Sequence, residues 1–220
     1  MTSASSLTLC SKCADRATHS CASISDDGTY RWELHRRWAS ECPVVLWVML
    51  NPSTADGDKD DATLRRCIAF STDWGFAGLA VANLFALRAR HPGRLTQHAD
   101  PVGKHNDTSL ARLSATADLV VAAWGSHPMA RSRLGGISTL LGANVKCLGL
   151  TGLGQPRHPL YLSRQSRLEP WHAGSSRLAD GRSGGQSTRT GYNVDENELL
   201  IEASRLRGQL REVAGRPRPG

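Results

Sequence analysis

No apolar run in the 220 residues approaches the roughly 18 needed to cross a bilayer, and the polar N-terminus lacks the basic-then-apolar layout of a signal peptide. A cytoplasmic protein with no membrane association is the expectation. Cysteine is sparse and scattered, at Cys10, Cys13, Cys21, Cys42, Cys67 and Cys147, which argues against a disulfide scaffold. The glycines around Thr151-Gly152-Leu153-Gly154 are too irregularly placed for a dinucleotide fingerprint, and no cofactor is expected. Acidic residues are also in deficit. Twenty Asp and Glu face 27 Lys and Arg, for a net charge of +7, a surplus that favours polyanionic partners and that an Arg-rich solvated surface explains equally well.

What is present centres on residues 44–61. Val44-Val45-Leu46-Trp47-Val48-Met49-Leu50 is bounded by Pro43 and stops at Asn51-Pro52-Ser53-Thr54, so it reads as a buried strand ending abruptly in a polar loop. Polar side chains at the carboxyl end of such a strand stand where open α/β sheets bind ligands. Asp56, Asp58, Asp60 and Asp61 come next. The last two precede a helix over residues 62–72, where carboxylates cap free N–H groups, and Arg65 and Arg66 point away from its apolar face.

The remaining chain alternates in the same way. Residues 30–38 read as an edge strand, and 78–87 as a second buried strand containing Asn83, whose amide must be satisfied by backbone or by a ligand. A helix over 108–117, capped by Asn106 or Asp107, leads to a strand ending at Gly125; a further helix carries Arg131 and Arg133 to about Leu141. The strand from Val145 to Leu150 runs into a Gly- and Pro-rich loop holding His158-Pro159-Leu160-Tyr161. The pattern predicts a three-layer α/β/α domain over residues 28–170 with a four-stranded, mainly parallel sheet. Residues 1–27 read as a polar extension, in which Cys10, Cys13, His19 and Cys21 are the weak candidates for a zinc site. A Gly-, Ser- and Arg-rich linker over 171–193 precedes a C-terminal helix and basic tail over 194–220, the helix having an apolar seam suited to docking on the core or on a partner.

Two resemblances rest on these motifs. MLNPSTAD at residues 49–56, Asp60 to Cys67, Trp74-Gly75, Asn83 to Ala86, Ala122 to Gly125 and His158 to Leu162 resemble the pattern of the bacterial domain of unknown function 1643 family. More remotely, the layout is similar to the uracil-DNA glycosylase superfamily, in which a first-strand loop positions water, a later Asn reads a flipped base and a His-Pro motif flanks the glycosidic bond. That resemblance implies a uracil-DNA glycosylase-like fold. Asn51-Pro52 and Ser53 would then stand at the water, Asn83 at the base, His158 at the leaving group, and Leu160 or Tyr161 would serve as a DNA wedge. Leu50 replaces the glycine that precedes the superfamily's first motif. Residues 83–98 hold no cysteine of the iron–sulfur branch.

The implied activity is base recognition or N-glycosidic hydrolysis in nucleic acid, DNA ahead of RNA. Asn51 and His158 would be catalytic, Asp56 or Asp61 would assist, and Pro52, Ser53, Asn83, Arg65, Arg66, Leu160 and Tyr161 would bind the substrate. The alternatives are a protein that binds a nucleotide or modified base without cleaving it, and a hydrolase of free nucleosides or nucleotides.

Overall fold

The computed structural model describes residues 19–39, 43–53 and 55–173. Cys10, Cys13, almost all of the expected linker and the expected C-terminal helix lie outside the described residues. In chain order the elements are β1 (His19–Ile24), β2 (Arg31–Arg37), β3 (Val44–Met49), α1 (Ala62–Asp73), β4 (Gly78–Asn83), α2 (Asn106–Thr116), β5 (Leu119–Ala122), α3 (Leu134–Leu141), β6 (Val145–Cys147) and β7 (Glu169–Pro170). Short 3-10 turns cover Pro92–Thr96, Pro128–Arg133 and Pro159–Tyr161.

β3 is apolar on both sides because both sides are covered. Val45, Trp47 and Met49 pack with Leu64, Cys67 and Phe70 of α1, while Leu46 and Val48 pack with Leu110 and Leu113 of α2 and Ile137 and Leu141 of α3. One helix on one face and two on the other make three layers. Trp47 is buried with its indole N–H donating to Ser71 Oγ at 3.0 Å, and its ring stacks on Trp74 at 5.5 Å between centroids. Asp61 caps α1 by accepting the Leu64 N–H at 2.8 Å, as its place before the helix predicts.

The sheet differs from expectation in width and direction. It has seven strands in the order β1-β2-β4-β3-β5-β6-β7, mixed rather than mainly parallel. The central β4, β3, β5 and β6 run parallel; β1, β2 and β7 add antiparallel edges. β2, read as an edge strand, is covered by β1, which comes from within the stretch read as an N-terminal extension. β1 is a polar strand whose exposed positions give no hydrophobic signal, and β7 is only two residues long. The expected cap of α2 is also corrected. Neither Asn106 nor Asp107 caps it; Asn106 is buried, and its amide donates to the carbonyls of Asn83 at 3.0 Å and Leu84 at 3.1 Å.

Candidate functional site

The chain passes from β3 through α1 to β4 on one side of β3, then through α2 to β5 on the other, so the strand order reverses between β3 and β5. Connections that leave in opposite directions open a crevice at the carboxyl ends of the strands. A cleft of about 700 Å³ lies there, bordered by residues from the ends of all four parallel strands: Asn51 and Ser53 after β3, Asn83 at the end of β4, His127 after β5 and His158 after β6.

Asn51 is held rigidly. Its amide N–H₂ donates to the carbonyls of Pro52 at 3.0 Å and Ala89 at 2.8 Å, which ties the loop after β3 to the segment after β4 and leaves its side-chain oxygen as the acceptor. Asn83 is the opposite case. The residue is 1% exposed, borders the cleft, and its side-chain N–H₂ has no partner among the described residues. A buried amide donor left unmatched costs roughly 1–3 kcal/mol, so a donor in this position is suited to an acceptor that arrives with a ligand.

His158 opens the 3-10 turn Pro159–Tyr161, and its Nδ1 accepts the Leu160 N–H at 3.3 Å. In the neutral ring the proton is therefore on Nε2. Burial lowers its pKa, with the Asp61 carboxylate opposing the shift, so the neutral donor form dominates at neutral pH. Gly125, with φ of 77°, lets the chain turn beside His158 after β5. Asp61 borders the same cleft while one of its oxygens caps α1.

Several expected residues stand elsewhere. Asp56 folds back on its own loop, accepting the N–H groups of Asp58 at 3.0 Å and Lys59 at 2.8 Å, and does not border the cleft. Arg65 is exposed and donates to the Asp60 carbonyl at 2.7 Å. Arg66 donates to the Leu162 carbonyl and lies over the Phe70 ring at 4.7 Å. Pro52 is buried, with its carbonyl taken by the Ala89 N–H. Leu160 is outside the cleft lining, and Tyr161, 80% exposed, stands on its rim. Of the zinc candidates, His19 and Cys21 lie on β1, and no group of three or more His, Cys, Asp or Glu able to hold a metal occurs among the described residues. Burial pushes the Cys67 thiol up and that of Cys147 to about 11, so neither is a ready thiolate. No helix among the described residues is long and apolar enough to cross a membrane.

The cleft also contains groups to which the sequence pattern alone assigns no site role: Arg31, Arg90, Arg157, Ser126, His127 and Thr151. His127-Pro128 was legible in principle, since it repeats the His158-Pro159 pair after a different strand; its Nδ1 likewise accepts the N–H two residues on, from Met129 at 3.3 Å. Arg31 had no local signal.

No curated protein and no solved structure matches the chain. A family model described as "Protein of unknown function (DUF1643)" matches residues 31–160, which span β2 through the His158-Pro159 turn and so take in every strand end that builds the cleft. With more than half of its length matched, the chain belongs to that family.

Proposed function

We propose that the cleft recognises a nucleobase and hydrolyses its N-glycosidic bond, in the manner of the uracil-DNA glycosylases. The observation that carries this reading is the buried, unmatched amide donor of Asn83 in the same cleft as the pinned Asn51 and the neutral His158. The Asn83 N–H₂ donates to a carbonyl or ring nitrogen on the base edge, which selects bases presenting an acceptor there. The fixed side-chain oxygen of Asn51 accepts a hydrogen bond from water and holds it at the sugar. Water adds to the anomeric carbon, the electron pair of the C–N bond leaves with the base, and the water proton passes to the Asp61 carboxylate or to solvent. The Nε2–H of His158 donates to the base oxygen on which negative charge develops. A neutral imidazole suits that task, because its hydrogen bond strengthens as the charge grows. An amide orients water without deprotonating it, so a slow reaction is expected.

Recognition of a nucleotide without cleavage is the second reading, favoured by one fact: among the described residues Asp61 is the sole carboxylate bordering the cleft, and one of its oxygens already caps α1. Oligonucleotides carrying uracil, mismatched or modified bases, assayed for abasic sites by alkaline cleavage, separate the two. Release of base by the native protein, lost in both Asn51→Ala and His158→Ala, is the expected result. Release that persists equally in both variants would remove this site from the chemistry, and binding without release would leave the second reading.

A further inference from the structure

Arg31 and Arg36 lie on the same strand and are both nearly sealed from solvent, at 4% and 6% exposed, yet among the described residues only Arg36 makes an ion pair, Arg31 being offset at longer range by Asp61 and Asp56. Arg36 donates from Nε to the Asp60 carboxylate at 2.8 Å, and its other nitrogens reach the carbonyls of His35 at 2.9 Å and Asp56 at 2.7 Å. Arg31 has a single hydrogen bond among the described residues, from Nη1 to the Ala55 carbonyl at 2.5 Å. Its Nε is buried without a partner, and no carboxylate lies within ion-pairing distance of it among the described residues. A buried guanidinium left without an anion is costly, so it is kept where an anion comes to it. Arg31 borders the cleft.

The surroundings agree in sign. Among the described residues three guanidiniums, Arg31, Arg90 and Arg157, border the cleft against one carboxylate, Asp61. The first turn of the twelve-residue α1 also reaches it through Thr63. Within that turn the N–H of Leu64 is taken by the Asp61 side chain and that of Arg65 by the Asp61 carbonyl. The leading N–H groups point along the positive end of the helix dipole. Burial lowers Arg31 to about 10, so it remains charged at neutral pH.

We propose that the Arg31 side of the cleft is a phosphate subsite, with the planar fork of Arg31 as its principal donor and the exposed Arg90, which follows the neighbouring β4, at its rim. This rests on the nucleobase reading of the cleft and specifies its substrate class as phosphorylated: a nucleoside 5′-monophosphate or the backbone phosphate of a nucleic acid, which present the same oxygens to a guanidinium. It also gives the substrate a cationic contact buried in the cleft wall, in place of Arg65 and Arg66, which were expected to bind the substrate and which the fold uses elsewhere.

Calorimetric titration of the full chain with the four common deoxynucleoside 5′-monophosphates, their unphosphorylated deoxynucleosides and inorganic phosphate tests this. The monophosphate of the preferred base is expected to bind roughly tenfold or more tightly than its nucleoside, with inorganic phosphate competing. Arg31→Met is expected to erase that difference, alongside a loss of melting temperature from the Ala55 carbonyl left without its donor; the exposed Arg167→Met is expected to keep it. Equal affinity for nucleoside and monophosphate would overturn the subsite and leave the base reading standing. A monophosphate that binds no better than inorganic phosphate would support the subsite and overturn the base reading. Undiminished monophosphate affinity in Arg31→Met would overturn the subsite. Competition by inorganic phosphate in the native chain tests it even if Arg31→Met fails to fold, and absence of that competition would overturn it. A short single-stranded oligonucleotide that displaces the monophosphate places the phosphate in a nucleic-acid backbone; failure to displace it places it on a free nucleotide.

Discussion

Asn106 on α2 donates its side-chain amide to the carbonyl of Asn83 at 3.0 Å, so the cleft-bordering residue whose amide donor is unmatched among the described residues is itself held by a second buried asparagine. The same amide reaches the Leu84 carbonyl, which Arg133 also contacts through Nε at 3.1 Å. Asn106 is therefore a positioning residue: it fixes the end of β4 and has no place in the cleft lining.

Replacing it should affect both stability and binding. Asn106→Ala removes the side-chain donor to the Asn83 carbonyl and leaves that of Leu84 with Arg133 alone, and should cost roughly 1–3 kcal/mol in urea denaturation. Nucleotide affinity should fall with it, because the Asn83 side chain loses its fixed base. Native affinity in a measurably destabilised Asn106→Ala would show that the two asparagines are not coupled.

His158 gives stability a pH dependence of known sign. Burial, opposed by Asp61, depresses its folded pKa below the ordinary value near 6.5, so the unfolded chain takes up a proton first as the pH falls. The contribution is complete above about pH 6.5 and is lost as the pH falls through the depressed folded value. Melting temperatures of the native chain should therefore drop more steeply below that pH than those of His158→Gln. Parallel curves would place the titrating group elsewhere.

Asp61 has two roles that two substitutions separate. Asp61→Ala removes the α1 cap and should cost about 1 kcal/mol, whereas Asp61→Asn keeps a capping oxygen and should stay within about 0.5 kcal/mol of the native chain. Both remove the carboxylate that opposes an anion in the cleft, so phosphate affinity should rise in each. Any base-releasing activity should fall in Asp61→Asn if the carboxylate receives the water proton, and calorimetry beside the abasic-site assay reads both effects.

Tyr161 stands 80% exposed on the cleft rim beside His158, with ring centroids 5.9 Å apart. Tyr161→Ala should change stability by no more than about 0.5 kcal/mol, as for other exposed positions. If the ring acts as a wedge against a stacked duplex, the variant should lose affinity for duplex DNA while keeping that for a mononucleotide. Equal losses for both ligands would make Tyr161 a wall of the base pocket instead.

The family match, the α/β class and the spans of α1, β3 and β5 come from features close together in the chain. Val44 to Leu50 reads as a strand covered on both faces, because the run is short, rich in valine, apolar at every position and stopped by Pro52. Asp60 and Asp61, directly before the apolar spacing of α1, both read as caps of that helix, and Asp61 is the one that caps it while Asp60 pairs with Arg36. Asn51, Asn83 and His158 could be singled out for a similar reason, each being a polar group at or beyond the end of an apolar run. The edges of the sheet were not legible: β1 alternates partly buried small and polar residues, and β7 is two residues with no period to read.

Local periodicity thus determined the central strands and the helices, and which polar residues stand at their ends, since burial of a face is written in the spacing of neighbouring residues. It could not determine which polar groups meet. Arg31 faces the Ala55 carbonyl 24 positions away rather than a carboxylate, Asn106 holds the carbonyl of Asn83 rather than capping its own helix, and Asp56 closes on its own loop. A polar side chain is satisfied by whatever donor or acceptor the packed chain brings within about 3 Å, and that choice is made by tertiary structure. The crossing of the chain from one side of β3 to the other opened the cleft, and tertiary structure also gave Arg36 an ion pair with Asp60 while Arg31 has none among the described residues.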